Sequence, residues 1–84
     1  IKNHFVFSDA PIHEVMASLE HRYGVKIEFI DPGIGNSRVT AKFKNMPLNN
    51  VMDELMVLSG LTYTKKNGNI YIYRANQKGG KAMN

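Results

Sequence analysis

Side chains capable of metal or acid–base chemistry are present in this sequence, but their spacing does not suit either. His13 and His21 lie two turns apart on the polar side of the first predicted helix, and neither has a histidine or acid partner at metal-ligand spacing. The pair His13-Glu14 lacks the following histidine of a zinc-binding helix motif. We therefore expect surface histidines and no metal site.

Phosphate binding and catalysis are equally poorly supported. The motif Gly33-x-Gly35 follows a predicted strand but leads into another strand, whereas phosphate loops lead into a helix whose first amides hold the anion. Solvent-facing carboxylates with ordinary pKa values cannot act as a tuned acid and base. Four acids are predicted on such helix faces: Glu14, Glu20, Asp53 and Glu54. We predict no catalytic residue, no cofactor and no enzymatic activity.

The positive charge is spread along the chain. Eleven basic residues and seven acidic ones give the 84-residue chain a formal charge of +4. Four of the basic residues lie towards the termini: Lys2, Arg74, Lys78 and Lys81. Nucleic-acid binding needs a concentrated basic face, and the remaining basic cluster is small: Arg38, Lys42 and Lys44. We expect no nucleic-acid partner, and a small RNA-binding α+β domain is a distant alternative. These three residues are instead a weaker candidate for steering an acidic protein partner.

Length and composition indicate one small globular domain. The chain is 43% apolar and 21% charged, with a mean hydropathy of −0.32, which is ordinary for a folded domain. It contains no cysteine and no apolar run long enough to span a membrane. We expect a single domain over residues 1–75 and a flexible tail over 76–84. Because the chain begins at Ile1, we expect a piece of a longer protein, with any membrane anchor outside it.

The chain contains an internal duplication at a shift of 36 residues. Six of 18 positions between residues 7 and 24 are identical in the two copies, where roughly one would be expected from average residue usage. The identical pairs are Phe7/Phe43, Pro11/Pro47, Val15/Val51, Met16/Met52, Leu19/Leu55 and Gly24/Gly60. Each copy is predicted to be strand, helix, strand, because the apolar period changes from two to about 3.6 and back.

Helix boundaries and helix faces follow from the same pattern. We expect Asp9 and Asn45 to be N-caps, and the glycines at positions 24 and 60 to end the helices in the left-handed conformation. The predicted core stripe of each helix has five apolar residues: Ile12, Val15, Met16, Leu19 and Tyr23 in the first, and Leu48, Val51, Met52, Leu55 and Leu58 in the second. Met56 is predicted at the rim of the second stripe.

A fifth strand breaks the symmetry. The dipeptide Asn67-Gly68 between two apolar-alternating runs predicts a two-residue hairpin at the end of the second copy. We predict an α+β fold in the order β-α-β-β-α-β-β, consisting of duplicated βαβ units plus an extra C-terminal strand. We expect the equivalent first strands of the two copies to pair with each other, and both helices to lie between a two-stranded and a three-stranded sheet.

The last strand carries the leading candidates for partner binding. Ile70 and Ile72 are predicted on its buried side, which turns Tyr71 and Tyr73 outward. Tyrosines offer a large, rigid contact area and are enriched in interfaces. We expect this strand to be a sheet edge that accepts a strand from a partner, with both tyrosines as anchors.

These residues, in this order, resemble a known family. The chain resembles the short signalling domain at the N-termini of secretins and TonB-dependent receptors, and more closely the C-terminal domain of FecR-type anti-sigma factors of Bacteroidetes. The resemblance covers residues 5–73. The motifs that carry it include Phe7-Ser8-Asp9-Ala10-Pro11-Ile12, Arg22-Tyr23-Gly24-Val25, Ser59-Gly60-Leu61-Thr62-Tyr63 and Gly68-Asn69-Ile70-Tyr71-Ile72.

The resemblance implies a non-catalytic relay module and supplies no catalytic or docking residues of its own. It implies a periplasmic portion of a single-pass inner-membrane protein that receives a signal from the signalling domain of a TonB-dependent outer-membrane receptor. Another part of the full-length protein would bind the sigma factor. The alternative implied by the same resemblance is the N-terminal signalling domain of a TonB-dependent receptor or secretin.

Overall fold

The computed structural model describes residues 4–31 and 33–74, and it contains the predicted order of elements. The elements are β1 (His4–Pro11), α1 (Ile12–Tyr23), β2 (Lys26–Phe29), a 3₁₀ turn (Ile34–Asn36), β3 (Arg38–Lys44), α2 (Leu48–Ser59), β4 (Leu61–Lys66) and β5 (Asn69–Arg74). The predicted tail over 76–84 lies outside the described residues.

The strands form two sheets, as predicted. β1 pairs with β3 in an antiparallel two-stranded sheet, so the equivalent first strands of the two copies are neighbours. The second sheet has the order β2-β5-β4, and β5 runs parallel to β2 and antiparallel to β4. Helix α1 contacts β1 and β2, and α2 contacts β3 and β4. Each helix therefore packs against one strand from each sheet, and the predicted α+β architecture is confirmed.

The duplication extends to the backbone. The two helices begin and end exactly 36 residues apart. Gly24 and Gly60 follow them in the left-handed conformation, with φ of 66° and 75°. Their N–H groups donate to the carbonyls of Glu20 and Met56, which are again equivalent positions. Glycine adopts this conformation without the Cβ clash that other residues meet, so the predicted C-caps are confirmed.

The predicted N-caps are wrong, and the reason lies in the backbone. Pro11 and Pro47 are the N-cap residues, and neither helix has a side-chain cap hydrogen bond. Asp9 and Asn45 instead have φ of 50° and 51°, in the left-handed region. Asp and Asn tolerate that conformation better than other non-glycine residues. Their equivalence in the repeat thus reflects a shared change of chain direction three residues before the first residue of each helix.

The core is apolar and shared by both copies. The buried helix residues are Ile12, Val15, Met16 and Leu19 in α1 and Val51, Met52, Leu55 and Met56 in α2. The predicted stripes are confirmed except at one flank. Leu58 is 52% exposed, whereas Met56 is only 8% exposed. The two residues flank the α2 stripe on opposite sides, and neighbouring elements cover the flank that carries Met56.

The connections carry the predicted turn chemistry. Asn67 and Gly68 have φ of 51° and 83°, the pair of positive values that a type I′ hairpin requires. Between β2 and β3, Ile34 is buried against the core. The carbonyl of Ser37 accepts a 2.7 Å hydrogen bond from the N–H of Ile12, which satisfies one of the free amides at the start of α1.

We expect Leu19→Ala and Leu55→Ala each to lower the free energy of unfolding by about 2–5 kcal/mol. Both side chains are fully buried, so truncation leaves a cavity in a small core. Leu58→Ala is the matched control, because it makes the same chemical change at an exposed position of α2 and should change stability by less than about 0.5 kcal/mol. Urea melts check this; equal effects at positions 55 and 58 would contradict the assigned α2 face.

Asn45→Ala should destabilise the fold by about 1 kcal/mol, because alanine pays the Cβ penalty at a φ of 51° without the local hydrogen bonding that helps asparagine there. Asn45→Gly removes that penalty and should be close to neutral. Thermal or urea unfolding of the two variants checks the order of stability. Alanine as stable as glycine at this position would show that the backbone there relaxes to negative φ.

Candidate functional site

The outer face of the three-stranded sheet carries the two predicted anchor residues, Tyr71 and Tyr73. Their neighbours Ile70 and Ile72 are buried, so the tyrosines point away from the core, and both are half-buried on the outer surface. The strand register places Glu28 and Thr64 on either side of Tyr71 and Thr62 beside Tyr73. We call this surface, made of Glu28, Thr62, Thr64, Tyr71 and Tyr73, the tyrosine face.

An exposed apolar side chain borders the tyrosine face. Ile30 follows β2 directly, and its N–H donates a 2.9 Å hydrogen bond to the carbonyl of Ile72. This bond continues the β2–β5 pairing, and the Ile30 side chain is 56% exposed. At the other end of β5, the Asn69 amide lies 3.4 Å from the Tyr71 hydroxyl, in hydrogen-bonding position. The surface therefore combines aromatic rings, an aliphatic side chain and hydrogen-bonding groups.

The prediction that the last strand lies at a sheet edge is wrong. β5 is the central strand of its sheet and pairs with β2 on one side and β4 on the other. Its backbone groups are engaged in both ladders, so β5 cannot accept a strand from another chain. The tyrosines can therefore contribute to binding through their side chains alone.

The basic residues Arg38, Lys42 and Lys44 lie on the exposed side of β3, at alternate positions as expected. Arg38 has a structural role: its guanidinium donates to the Asp9 carbonyl oxygen at 2.8 Å and lies 3.7 Å from the Asp9 carboxylate. The Asp9 N–H in turn donates to the Thr40 hydroxyl at 3.0 Å. Arg38 and Thr40 thus stabilise β1 at the point where its pairing with β3 changes register, between Phe7 and Ala10. Of the three basic residues of β3, this leaves Lys42 and Lys44 available to a partner.

The structure does not bring the two sets of candidate residues together. Arg38, Lys42 and Lys44 belong to the two-stranded sheet, and the tyrosines belong to the three-stranded sheet. Because the helices lie between the sheets, the basic strand and the tyrosine face are separate surfaces. A single small partner domain is not expected to cover both.

Glu20 has a role that its position in the sequence did not reveal. It was predicted on a solvent face, but its side chain is half-buried and accepts a 2.7 Å hydrogen bond from the N–H of Ile27. That amide belongs to β2, at an edge of the three-stranded sheet. The contact depends on how the chain turns between α1 and β2, which no residue pattern within the helix indicates.

Aromatic residues fix the end of α1 to the two-stranded sheet. The Phe5 ring stacks on the rings of Phe7 and Tyr23, with centroids 5.7 and 6.0 Å away, and the Arg22 guanidinium lies 4.9 Å from the Phe5 centroid. The Tyr23 hydroxyl donates to the carbonyl of Met46 at 2.8 Å. These contacts have a packing role, since they hold α1 against β1 and the β3–α2 connection.

A shallow groove of about 360 Å³ lies where the ends of α2 and β5 meet the β2–β3 connection. Its lining is made of Gly33, Ile34, Ser37, Ser59, Gly60, Leu61 and Arg74. The Ser59 hydroxyl donates to the carbonyl of Leu55, so it is already engaged within α2. In the parts of the chain that the structure describes, no three histidine or acidic side chains are grouped to hold a metal ion. Among the described residues that line the groove, Arg74 is the one cation, and no nucleophile is paired with a base.

The fold and its surfaces define a small α+β module built from two βαβ copies. A family model for the C-terminal region of FecR matches residues 4–72, which is nearly the whole described fold. The chain therefore belongs to the FecR C-terminal family. This confirms the resemblance found in the sequence.

Solved structures show the same fold. Two crystal structures of a putative anti-sigma factor from Parabacteroides distasonis, at 1.65 and 2.50 Å resolution, each superpose with a TM-score of 0.80 and 24% identity. The match covers 88% of this chain and 35% of the Parabacteroides chain, so this chain spans about a third of that protein's length. No curated protein matches the chain. Within residues 4–31 and 33–74, neither helix is long and apolar enough to cross a membrane.

The phenol of Tyr63 lies beside the carboxylate of Asp53. Its pKa is raised above the ordinary value of 10.0, chiefly by partial burial and further by the nearby Asp53 carboxylate, which accepts a 3.3 Å hydrogen bond from the phenol. Folding therefore favours the protonated phenol. The resulting stability is complete below pH 10 and is lost as the pH rises through the folded-state pKa.

We expect Tyr63→Phe to reduce the loss of stability above about pH 10, because phenylalanine has no proton to release. Asp53→Asn keeps the phenol but removes the adjacent negative charge, so it should lower the Tyr63 pKa. Phenolate absorbance of the folded variants, together with urea melts at increasing pH, measures both effects. An unchanged alkaline stability profile in Tyr63→Phe would contradict the assigned linkage.

Proposed function

We propose that this chain is the periplasmic receiving module of a FecR-type sigma-factor regulator, an anti-sigma factor, and that it works by protein–protein contact without catalysis. The observation that carries the proposal is the family match over residues 4–72, which coincides with the complete two-copy fold. The structural similarity to a putative anti-sigma factor supports the same class. The exposed aromatic and basic surfaces suit the binding of a protein.

The proposed partner is the signalling domain of a TonB-dependent outer-membrane receptor. In this scheme the chain is the periplasmic portion of a single-pass inner-membrane protein, and its membrane anchor lies outside residues 1–84. Another part of the full-length protein holds the sigma factor. The receptor's signal then reaches the sigma factor through a contact made by this module.

We place the receptor contact on the tyrosine face. The inner side of the three-stranded sheet is covered by the helices, and the outer side presents Tyr71 and Tyr73 beside the exposed Ile30. Aromatic side chains combine a large contact area with few rotatable bonds, so ordering them on binding costs little entropy. Flanking Thr62 and Thr64 supply hydroxyl groups for a polar rim.

Tyr71→Ser/Tyr73→Ser should weaken binding to the signalling domain of the cognate receptor at least tenfold, about 1.4 kcal/mol, by removing both rings. Tyr71→Phe/Tyr73→Phe keeps the ring area and should retain most of the affinity. Val57→Ser is the matched control, since Val57 is 82% exposed on α2, outside the proposed contact. Isothermal titration calorimetry on the folded variants gives the three affinities.

Two results would contradict this scheme at different levels. An unchanged affinity in the folded serine variant would remove the tyrosine face from the interface and leave the function intact. No binding of the wild-type chain to the cognate signalling domain would reject the receptor as the partner. In cells, the scheme predicts that the full-length serine variant loses receptor-dependent sigma-factor activity.

A further inference from the structure

The described strands leave four free edges. β1 and β3 each have one in the two-stranded sheet, and β2 and β4 are the outer strands of the three-stranded sheet. Edge strands present unpaired N–H and C=O groups that can pair with another extended chain, and folded proteins usually block such edges. The four edges of this protein differ in how far they are blocked.

Two of the edges are obstructed. β1 is interrupted by a bulge, because its pairing with β3 passes from Phe7↔Ala41 to Ala10↔Val39 and leaves two β1 residues opposite Thr40. A bulge bends and twists an edge away from regular pairing. β2 has four residues, and its Ile27 N–H is already bonded to Glu20. Neither strand offers a long, regular ladder.

β3 offers the longest regular edge. Its seven residues run from Arg38 to Lys44, and the extra residue of the bulge lies on β1. β4 is one residue shorter, and its two lysines, Lys65 and Lys66, are consecutive. Because successive side chains of a strand point to opposite faces, Lys65 and Lys66 diverge, whereas Lys42 and Lys44 lie on one face of β3.

Within the described part of the chain, Lys42 and Lys44 form no ion pair. Both side chains are exposed. The ion pair found among the described residues joins Arg38 to Asp9 and involves neither lysine. Residues opposite them on β1 are His4 and Val6, neither of which is acidic. A partner strand beside β3 would therefore meet two positive charges on its solvent face and the half-buried Ala41 on the inner face.

We propose that the free edge of β3 accepts an extended segment of a partner protein in which acidic and apolar residues alternate. The acidic side chains lie beside Lys42 and Lys44, and the apolar ones extend the inner face of the two-stranded sheet past Ala41. A second copy of this chain is a poor occupant, since pairing β3 with itself places lysines next to lysines. This inference goes beyond the proposed function, because it concerns the other sheet and does not require a receptor.

The probe is a blocked peptide of about seven residues in which glutamate and valine alternate, the length of one strand. Titration followed by amide NMR should show binding, with slower hydrogen exchange at β3 amides and little change at β4. A peptide of the same composition with the glutamates grouped together should bind at least tenfold more weakly. It cannot place its acids on one face of a strand.

Charge-reversal variants separate strand addition from general attraction. Lys42→Glu/Lys44→Glu should weaken binding of the alternating peptide at least tenfold. Lys65→Glu/Lys66→Glu makes the same change in net charge on β4 and should alter the affinity for that peptide less than about threefold. Tyr71→Ser/Tyr73→Ser should leave peptide binding unchanged, so this inference and the tyrosine contact can fail separately.

Several results would overturn the proposal. They are no detectable binding of the alternating peptide, equal losses in the two lysine variants, protection of β4 in place of β3, or a wild-type chain that already dimerises through β3. Far-UV circular dichroism of each variant confirms that the fold is retained before binding is compared.

Discussion

The constraint on which this structure depends is that one βαβ copy cannot bury its own helix. Val15 and Leu19 of α1 and Val51 and Leu55 of α2 are all fully buried in a single cluster, to which both copies contribute. Each helix lies against the two strands of its own copy, but those strands belong to different sheets, and each sheet contains strands of both copies. Neither copy therefore has a separate core. Apolar burial is the main favourable term in folding, and in a chain of this size it suffices only when both copies share one interior.

The fifth strand turns this near-symmetric arrangement into one with two unlike surfaces. β5 lies between the equivalent second strands β2 and β4, which would otherwise be the candidates to pair. Successive side chains of β5 point to opposite faces of the sheet, so Ile70 and Ile72 are buried and Tyr71 and Tyr73 point outward. The three-stranded sheet therefore has an aromatic outer face, whereas the two-stranded sheet has a basic one. The aromatic face thus arises where the duplication ends, in the added strand.

The polar side chains of the described residues lie at the surface, where several of them hydrogen-bond to the backbone at strand edges and turns. Among the described residues, the buried side chains are all hydrophobic. Glu20 occupies the Ile27 amide at the β2 edge, and Arg38 holds the bulge of β1 through Asp9. Blocking two edges in this way limits uncontrolled strand pairing, and of the two regular edges that are left, β3 is longer than β4.

Features that depend on neighbours in the chain could be predicted from the residues: the duplication, the two apolar helix stripes, the glycine C-caps and the Asn67-Gly68 hairpin. Each is set by periodicity or by the φ angles that a residue tolerates, which act over a few positions. The position of β5 between β2 and β4, the burial of Met56 in preference to Leu58, and the contacts of Glu20 could not be predicted. They depend on residues distant in sequence, because a local pattern specifies which side of an element is apolar but not which element covers it. Asp9 and Asn45 belong to both groups: the repeat marks them as equivalent, and the folded backbone makes them left-handed turn residues in place of helix caps.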